Sequence, residues 1–194
     1  MYHRYLNSVV SKAGALAVSV NYRLAPEHPL PAAYDDSWAA LGWTASAADP
    51  WLSEHGDIGR IFLAGDSGGA NGVHNIGIMA GAGPSSLPPG AIVEGAIILH
   101  PMFGGKKPID GEYTETRELI EKLWFLICPD TEEAGLDDPR LNPMADGAPS
   151  LQKLGCRKLL VCSSEKDISC SSCSLQRYIK LDQFLALFSW IVEL

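Results

Sequence analysis

The sequence is poor in basic side chains and contains no long apolar run. Its 194 residues include 15 Lys and Arg against 23 Asp and Glu, which gives a formal net charge of −8. Proteins that bind phosphate backbones or anionic membranes need clustered positive charge, so this balance argues against nucleic acid as a partner. The longest apolar run, FLALFSWIV from Phe184, is about half of the roughly 20 residues that span a bilayer. We therefore expect no membrane span.

Cysteine is scarce and odd in number. The chain has five Cys, and its first residues, MYHRYLNSVVSKAG, lack the apolar core and cleavage site of a signal peptide. Reduced thiols and a cytoplasmic location are therefore expected. Cys170 and Cys173 have the CxxC spacing, but no second ligand pair follows them. Neither a metal site nor a redox site is expected there.

Short apolar runs alternate with segments of helical periodicity, which predicts a parallel sheet covered by helices. Four runs are predicted as strands: ALAVSVNY (15–22), RIFLA (60–64), GAIILHP (95–101) and RKLLVC (157–162). Three segments are predicted as helices: 32–48, in which Tyr34, Trp38, Leu41 and Ala45 recur at helical spacing, 68–81 and 115–127. Ligands of such sheets bind at the carboxyl ends of the strands.

Two segments rich in Gly, Pro and acidic residues are predicted to form a surface cap over the site. They are FGGKKPIDGEYT (103–114) and CPDTEEAGLDDPRLNPMADGAPS (128–150). In the helix between them, Leu119, Trp124 and Phe125 are candidates for apolar contacts with a substrate. Packing in the core is the equal alternative for these three side chains.

The stretch IFLAGDSGGANG (61–72) places Ser67 between a predicted strand and a predicted helix. This is the context of a nucleophile elbow, a turn so tight that only small residues fit two positions away, here Gly65 and Gly69. The N–H of Gly68 would then stand at a helix N-terminus as an oxyanion donor. The alternative is a glycine-rich turn in which the serine caps the helix.

Five stretches make the chain resemble the plant carboxylesterases, in the hormone-sensitive-lipase-like branch of the α/β hydrolases. They are NYRLAPEHPLPAAYDD (21–36), GRIFLAGDSGGAN (59–71), LHPMF (99–103), DDPRLNP (137–143) and LLVCSSEKD (159–167). The resemblance implies a partial α/β-hydrolase fold over residues 1–167, mainly a parallel sheet with helices on both faces. The Ser/Cys-rich and then apolar tail, 168–194, does not match it, and an altered transcript or a genuine terminal helix would each account for the tail.

The resemblance also assigns roles to individual residues. Ser67 matches the nucleophile, and Asp167 matches the acid that orients the catalytic histidine, with a solvated loop carboxylate as the alternative. Asp66 braces the elbow and is a possible pocket residue, His28 belongs to a structural turn, and His100 either lines the pocket or replaces the base. A small-molecule ester is the implied substrate, with no metal or organic cofactor.

Two departures from the family pattern bear on activity. The resemblance implies an HGGG-type oxyanion loop before Tyr2, N-terminal strands, and a C-terminal strand with a histidine loop, all expected to be missing here. The five histidines are His3, His28, His55, His74 and His100, and none follows Asp167. His74 lies about 10 Å from Ser67 along a helix, too far to act as its base. We therefore expect weak or no esterase activity.

Two other functions fit the same pattern. The plant gibberellin receptors resemble this scaffold and lack the catalytic histidine, which makes non-catalytic ligand binding one alternative. A carbon–oxygen lyase of the isoflavanone dehydratase type, with a closely similar site, is the other.

Overall fold

The computed structural model describes residues 2–83, 87–108, 114–131 and 133–163. Their regular elements are α1 (Tyr2–Ala13), α2 (Ala32–Ser46), α3 (Pro50–His55), β1 (Ile61–Asp66), α4 (Gly68–Ala80), β2 (Val93–Leu99), α5 (Thr114–Ile127) and β3 (Lys158–Cys162). Single 3-10 turns occur at Ile58–Arg60, Pro129–Thr131, Gly135–Asp137 and Leu151–Lys153. None of the helices in these ranges is long and apolar enough to cross a bilayer.

The three strands form one parallel sheet in the order β1-β2-β3. Helix α4 connects β1 to β2, and the segment that contains α5 connects β2 to β3. At the carboxyl ends, Asp66 is paired with Leu99 and Leu99 with Cys162. The predicted α/β architecture is confirmed, and the register brings the residues that follow each strand to one edge of the sheet.

The segment 15–22, predicted as a strand, is not one. It forms no ladder with another strand in the described part of the chain, and Val18 and Val20 are 40% and 38% exposed. An apolar run indicates that its side chains favour burial. A strand forms only where a neighbouring strand accepts and donates the hydrogen bonds of its backbone N–H and C=O groups. The described sheet therefore has three strands instead of four.

Helix α4 lies between the sheet and α2, and each of its faces belongs to a different apolar cluster. On the sheet side, Ala70 and Val73 pack with buried side chains of β2 and β3, among them Ile98 and Val161. On the other side, Ile76 packs with Tyr34 and Leu41 of α2 and with the half-buried Trp38. Full burial of one such aliphatic side chain contributes about 1.5–3 kcal/mol. The helix that begins after Ser67 is therefore fixed from both sides.

The segment 128–143 is part of the core, not only a surface cap. Cys128, Leu136 and Leu141 are buried and pack with Trp124 of α5. Two 3-10 turns shorten this stretch and let its apolar side chains reach the core. A composition typical of loops therefore does not leave the whole stretch exposed. The expectation of a surface cap is therefore wrong for this part of the segment.

Candidate active site

Ser67 occupies a strained turn between β1 and α4. Its φ of 55° and ψ of −117° fall outside the regions that non-glycine residues favour. Backbone strain of this kind costs about 1–3 kcal/mol and persists where the surroundings over-determine it, often at functional sites. The residue is exposed, and its side chain makes no capping hydrogen bond to α4. This geometry matches the predicted elbow and not the alternative of a capping serine.

The glycines around Ser67 differ in what their surroundings allow. A Cβ on Gly65 would overlap the carbonyl group of Gly69 and would lie 2.8 Å from Ala70 N, so only glycine fits. At Gly69, an added Cβ would meet only the Tyr22 hydroxyl, at an ordinary 4.0 Å. Among the described residues, the expected steric need for glycine therefore holds at position 65 but not at position 69.

The peptide groups of Ser67 are hydrogen-bonded to the last residue of β2 and to the turn that follows it. Its N–H donates to the Leu99 carbonyl at 2.9 Å, and its carbonyl accepts from the Met102 N–H at 3.2 Å. The same carbonyl accepts from the N–H groups of Ala70 and Asn71, both at 3.1 Å. These bonds hold the elbow between the turn after β2 and the first turn of α4.

Gly68 is the first residue of α4, and it is exposed. The first N–H groups of a helix lack intrahelical acceptors, and the helix dipole favours negative charge near them. An oxyanion that forms next to Ser67 would therefore find a donor there. This role of Gly68 remains a prediction.

Asp66 and His100 stand at the same edge of the sheet as Ser67. Asp66 is the last residue of β1, and His100 directly follows β2. His100 has a left-handed φ of 43°, and its N–H donates to the Cys162 carbonyl at 2.8 Å. Both residues are half-buried. Their pocket-lining roles stay predictions.

His74 is buried in the core, which argues against its acting as the base for Ser67. It is 3% exposed on α4, with its ring edge-on to Phe103 at a centroid distance of 5.4 Å. Burial lowers the pKa of His74 to about 4, so the imidazole is neutral at pH 7. His28 lies exposed in the turn before α2, where its N–H donates to the Leu24 carbonyl at 2.9 Å.

Asn71 is the site residue that the sequence did not single out. Its amide accepts from the Tyr34 hydroxyl at 2.7 Å and donates to the carbonyls of Met102, at 3.0 Å, and Arg140, at 2.8 Å. These partners lie in three of the five stretches that carried the family resemblance, and Asn71 itself closes a fourth. That coincidence was the only signal in the sequence.

An ion-pair cluster fixes the segment that contains Arg140, whose carbonyl binds Asn71. The Arg140 guanidinium donates to the buried Asp138 carboxylate at 2.6 Å and to the exposed Asp130 carboxylate at 3.1 Å. Burial opposes ionisation of Asp138, but the hydrogen bonds from Arg140 outweigh it, and the pKa of Asp138 lies below its usual value. The Thr131 hydroxyl also contacts Asp138, at 3.2 Å, and accepts from the Trp124 indole N–H at 3.3 Å.

The three α5 side chains considered for substrate contacts separate into two groups. Trp124 is fully buried in the core, so packing accounts for it, whereas Leu119 and Phe125 are exposed. Nearby, burial raises the pKa of the Cys128 thiol to about 12, which keeps it protonated. No three His, Cys, Asp or Glu side chains converge into a metal-binding group within the described ranges.

Asp167 lies outside the described residues, as do Cys170, Cys173 and the whole of 168–194. Strand β3 ends at Cys162, and the last described residue is Ser163. The role of Asp167 as the acid therefore stays a prediction.

Comparison with known proteins assigns the class. The family model of the alpha/beta hydrolase fold matches residues 1–173. The chain therefore belongs to the alpha/beta hydrolase fold family. Probable carboxylesterase 2 of Arabidopsis thaliana is 43% identical to this chain over 169 residues, which cover 86% of this chain and 52% of that protein. The predicted membership of the carboxylesterase-type hydrolases is confirmed.

Other relatives carry different names. The 2-hydroxyisoflavanone dehydratase of Glycyrrhiza echinata is 46% identical over 178 residues, covering 86% of this chain and 53% of that one. Tuliposide A-converting enzyme 1, chloroplastic, of Tulipa gesneriana is 47% identical over 167 residues, covering 82% and 41%. The chain thus spans about half the length of the curated relatives it matches.

Solved structures confirm the fold. The crystal structure of DphMB1 superimposes with a TM-score of 0.75 at 24% identity, covering 97% of this chain and 60% of that one. An esterase of Pyrobaculum calidifontis gives a TM-score of 0.68 at 23% identity, covering 97% and 61%. The partial coverage of both agrees with the predicted partial hydrolase fold.

Proposed function

We propose that this chain carries the nucleophilic half of a carboxylic ester hydrolase, with Ser67 as the nucleophile. The observation that supports this role most directly is the strained, exposed Ser67 backbone, hydrogen-bonded on both sides at the carboxyl edge of the sheet. Serine nucleophiles of this fold sit on such turns. Small-molecule esters are the proposed substrates.

The proposed reaction proceeds through an acyl-enzyme. The Ser67 Oγ attacks the ester carbonyl carbon and gives its proton to a base, while the Gly68 N–H stabilises the oxyanion. The bond to the alkoxy oxygen breaks, and the alcohol leaves with that proton. Water then attacks the acyl carbon, releases the acid and returns the proton to Ser67. Asp167 would orient the histidine that serves as the base.

We further propose that the 194-residue polypeptide by itself has weak or no turnover. His74 is buried and neutral in the middle of α4, and no histidine follows Asp167 in these residues. His100 is the candidate nearest in the fold, because it follows the strand next to that of Ser67. The Gly68 N–H is one of the two backbone donors that oxyanion holes of this fold use. Loss of even one oxyanion donor typically lowers the rate by about 100- to 1,000-fold.

The test is to incubate the purified chain with a p-nitrophenyl ester and, separately, with a fluorophosphonate probe. Ser67→Ala is the matched control because it removes only the nucleophilic oxygen. Labelling that depends on Ser67, without turnover, is the expected result. Turnover that depends on Ser67 would contradict the proposed inactivity, and labelling equal in the two proteins would contradict the role of Ser67.

A carbon–oxygen lyase is the second candidate function, favoured by the 46% identity to the dehydratase of Glycyrrhiza echinata. Offering the same preparation a 2-hydroxyisoflavanone and the p-nitrophenyl ester distinguishes the two. Elimination of water without ester cleavage would favour the lyase.

The cellular location is also a proposal. Six of the tulip relatives have names that place them in chloroplasts or amyloplasts. The cytoplasmic location predicted from the first residues is our proposal for this chain, and plastid fluorescence of a full-length fusion protein would contradict it.

A further inference from the structure

The Asn71 side chain is buried and uses all of its hydrogen-bonding capacity. It is 3% exposed. Its Oδ1 accepts from the Tyr34 hydroxyl at 2.7 Å and from Asn75 Nδ2 at 3.2 Å, and its Nδ2 donates to the Met102 and Arg140 carbonyls. An amide has two donor hydrogens and two acceptor positions at its oxygen, so each is matched here. A side chain without donors would remove these bonds from two half-buried residues, and of the two only the Arg140 carbonyl has a second donor among the described residues, Asn75 Nδ2 at 3.2 Å.

The Met102 peptide connects Asn71 to the elbow. Its N–H donates to the Ser67 carbonyl at 3.2 Å, and the carbonyl of the same residue accepts from Asn71 Nδ2 at 3.0 Å. The Asn71 N–H also donates to the Ser67 carbonyl, at 3.1 Å. Ser67, Met102 and Asn71 thus form a closed ring of hydrogen bonds around the strained residue.

The second carbonyl bound by Asn71 is itself held in place. Arg140 N–H and Nε both donate to Asp138 Oδ1 at 2.9 Å, and the guanidinium also reaches Asp130. Asp138 is buried and accepts from Thr131. The Arg140 carbonyl is therefore an anchor attached to the core around Trp124, not a mobile loop carbonyl.

We infer that Asn71 is a positioning residue for Ser67. Its amide group holds the turn after β2 against the Ser67 peptide, and it ties both to α2 and to the Arg140 segment. The strained φ of Ser67 needs this support, because strain persists only where the surroundings over-determine it. The inference rests on the proposed role of Ser67 as nucleophile for its catalytic meaning, but the ring itself can be tested without catalysis.

The first experiment measures amide hydrogen exchange in Asn71→Asp. This substitution keeps the size and both acceptors but removes both donors, and a carboxylate near the N-terminus of α4 is compatible with the helix. We expect protection of the Met102 and Ser67 amides to fall by about tenfold or more beyond the change at Ile76 and Gly77. An equal change at all four amides would overturn the inference.

Two further variants separate local from global effects. Val73→Ala removes buried apolar contacts on the same helix without touching the ring, so its loss of protection is expected to be uniform. Tyr34→Phe removes one bond to Asn71 Oδ1 and leaves both donors, so a selective loss of about threefold at Met102 is expected. If Asn71→Asp does not fold, Tyr34→Phe decides, and a uniform change in it would overturn the inference.

The second experiment measures the rate of fluorophosphonate labelling under conditions where each variant is folded. Asn71→Asp is expected to react about tenfold more slowly than the unaltered protein, and Val73→Ala within about twofold of it. Equal rates for Asn71→Asp and the unaltered chain would refute positioning of the nucleophile. If the unaltered chain is not labelled at all, the proposed role of Ser67 fails, while the exchange experiment still decides whether Asn71 holds the elbow.

Discussion

At the scale of single residues, the glycines beside Ser67 predict opposite effects of the same substitution. Gly65→Ala would place a methyl group on the Gly69 backbone, whereas at Gly68 nothing lies within 4 Å of an added Cβ. We expect Gly65→Ala to lower the free energy of unfolding by about 2–3 kcal/mol. Gly68→Ala is expected to leave it unchanged or raise it by up to about 1 kcal/mol, because alanine favours helix. Urea unfolding measures both, and equal stability of the two variants would refute this contrast.

The buried His74 predicts a dependence of stability on pH. Its pKa is lowered to about 4 by burial, against 6.5 for an ordinary histidine. Between these values the unfolded chain binds a proton that the folded chain excludes, so stability falls as pH drops below 6.5. The contribution present above that pH amounts to roughly 3 kcal/mol, of which about 2 kcal/mol is lost by about pH 5.

The measurement compares urea unfolding at about pH 7.5 and about pH 5 in the unaltered chain and in His74→Gln, which does not titrate. The other titrating groups are common to both proteins, so their effects cancel in the difference. The unaltered chain should lose about 2 kcal/mol more than the variant. Equal losses in the two proteins would show that His74 titrates normally in the folded state.

How much of the candidate site could be predicted depended on whether its residues are neighbours in sequence. The Ser67 turn follows from local features, an apolar strand, small residues and a helical pattern. The Asn71 network does not, because its partners Tyr34 and Arg140 are 37 and 69 positions away. Spacing reports periodicity within an element, whereas contacts between elements depend on how the chain packs. The sequence therefore predicted the nucleophile candidate and missed what holds it.

At the scale of elements, the two carboxylates that share Arg140 predict unequal costs of substitution. Asp138 is 6% exposed at its side chain, and Asp130 is 56% exposed. Asp138→Ala leaves the Arg140 guanidinium without its buried acceptor, whereas the Thr131 hydroxyl keeps the Gly135 carbonyl as an acceptor at 2.8 Å. We expect a loss of about 2–3 kcal/mol, because the arginine is partly solvated. Asp130→Ala should cost less than about 1 kcal/mol. Thermal unfolding of both variants measures this difference, and similar melting temperatures would argue against the buried anchor.

Helices were easier to predict than strands because a helix satisfies its backbone groups within one segment. Helices α2, α4 and α5 were predicted within about two residues at each end, the usual uncertainty of helix boundaries. Helix α1 was missed, although Leu6, Val9, Val10 and Ala13 recur at helical spacing and Gly14, with φ of +60°, ends it. The prediction of a strand at 15–22 was wrong because an apolar pattern does not determine whether a neighbouring strand is available to pair with its backbone.

At the scale of the whole molecule, the described surface exposes several large apolar side chains and the free edges of two strands. Strand β1 pairs with β2, and no strand pairs with its other edge among the described residues, where Phe62 is 50% exposed. On α5, Leu119, Leu123 and Leu126 are exposed along one face, with Phe125 beside them. Unpaired strand edges and contiguous apolar patches promote association.

We therefore predict that the isolated 194-residue chain is poorly soluble and associates when it is concentrated. Each helix satisfies its backbone groups within one segment, whereas strands β1 and β3 each pair on a single side within the described ranges. Light scattering should show that the chain associates as its concentration rises, because the unpaired strand edges and apolar patches of separate copies can meet. Phe62→Lys, on β1, should raise solubility, whereas Trp51→Lys, an equally exposed aromatic on α3, should not. A chain that stays monomeric when it is concentrated would contradict the prediction.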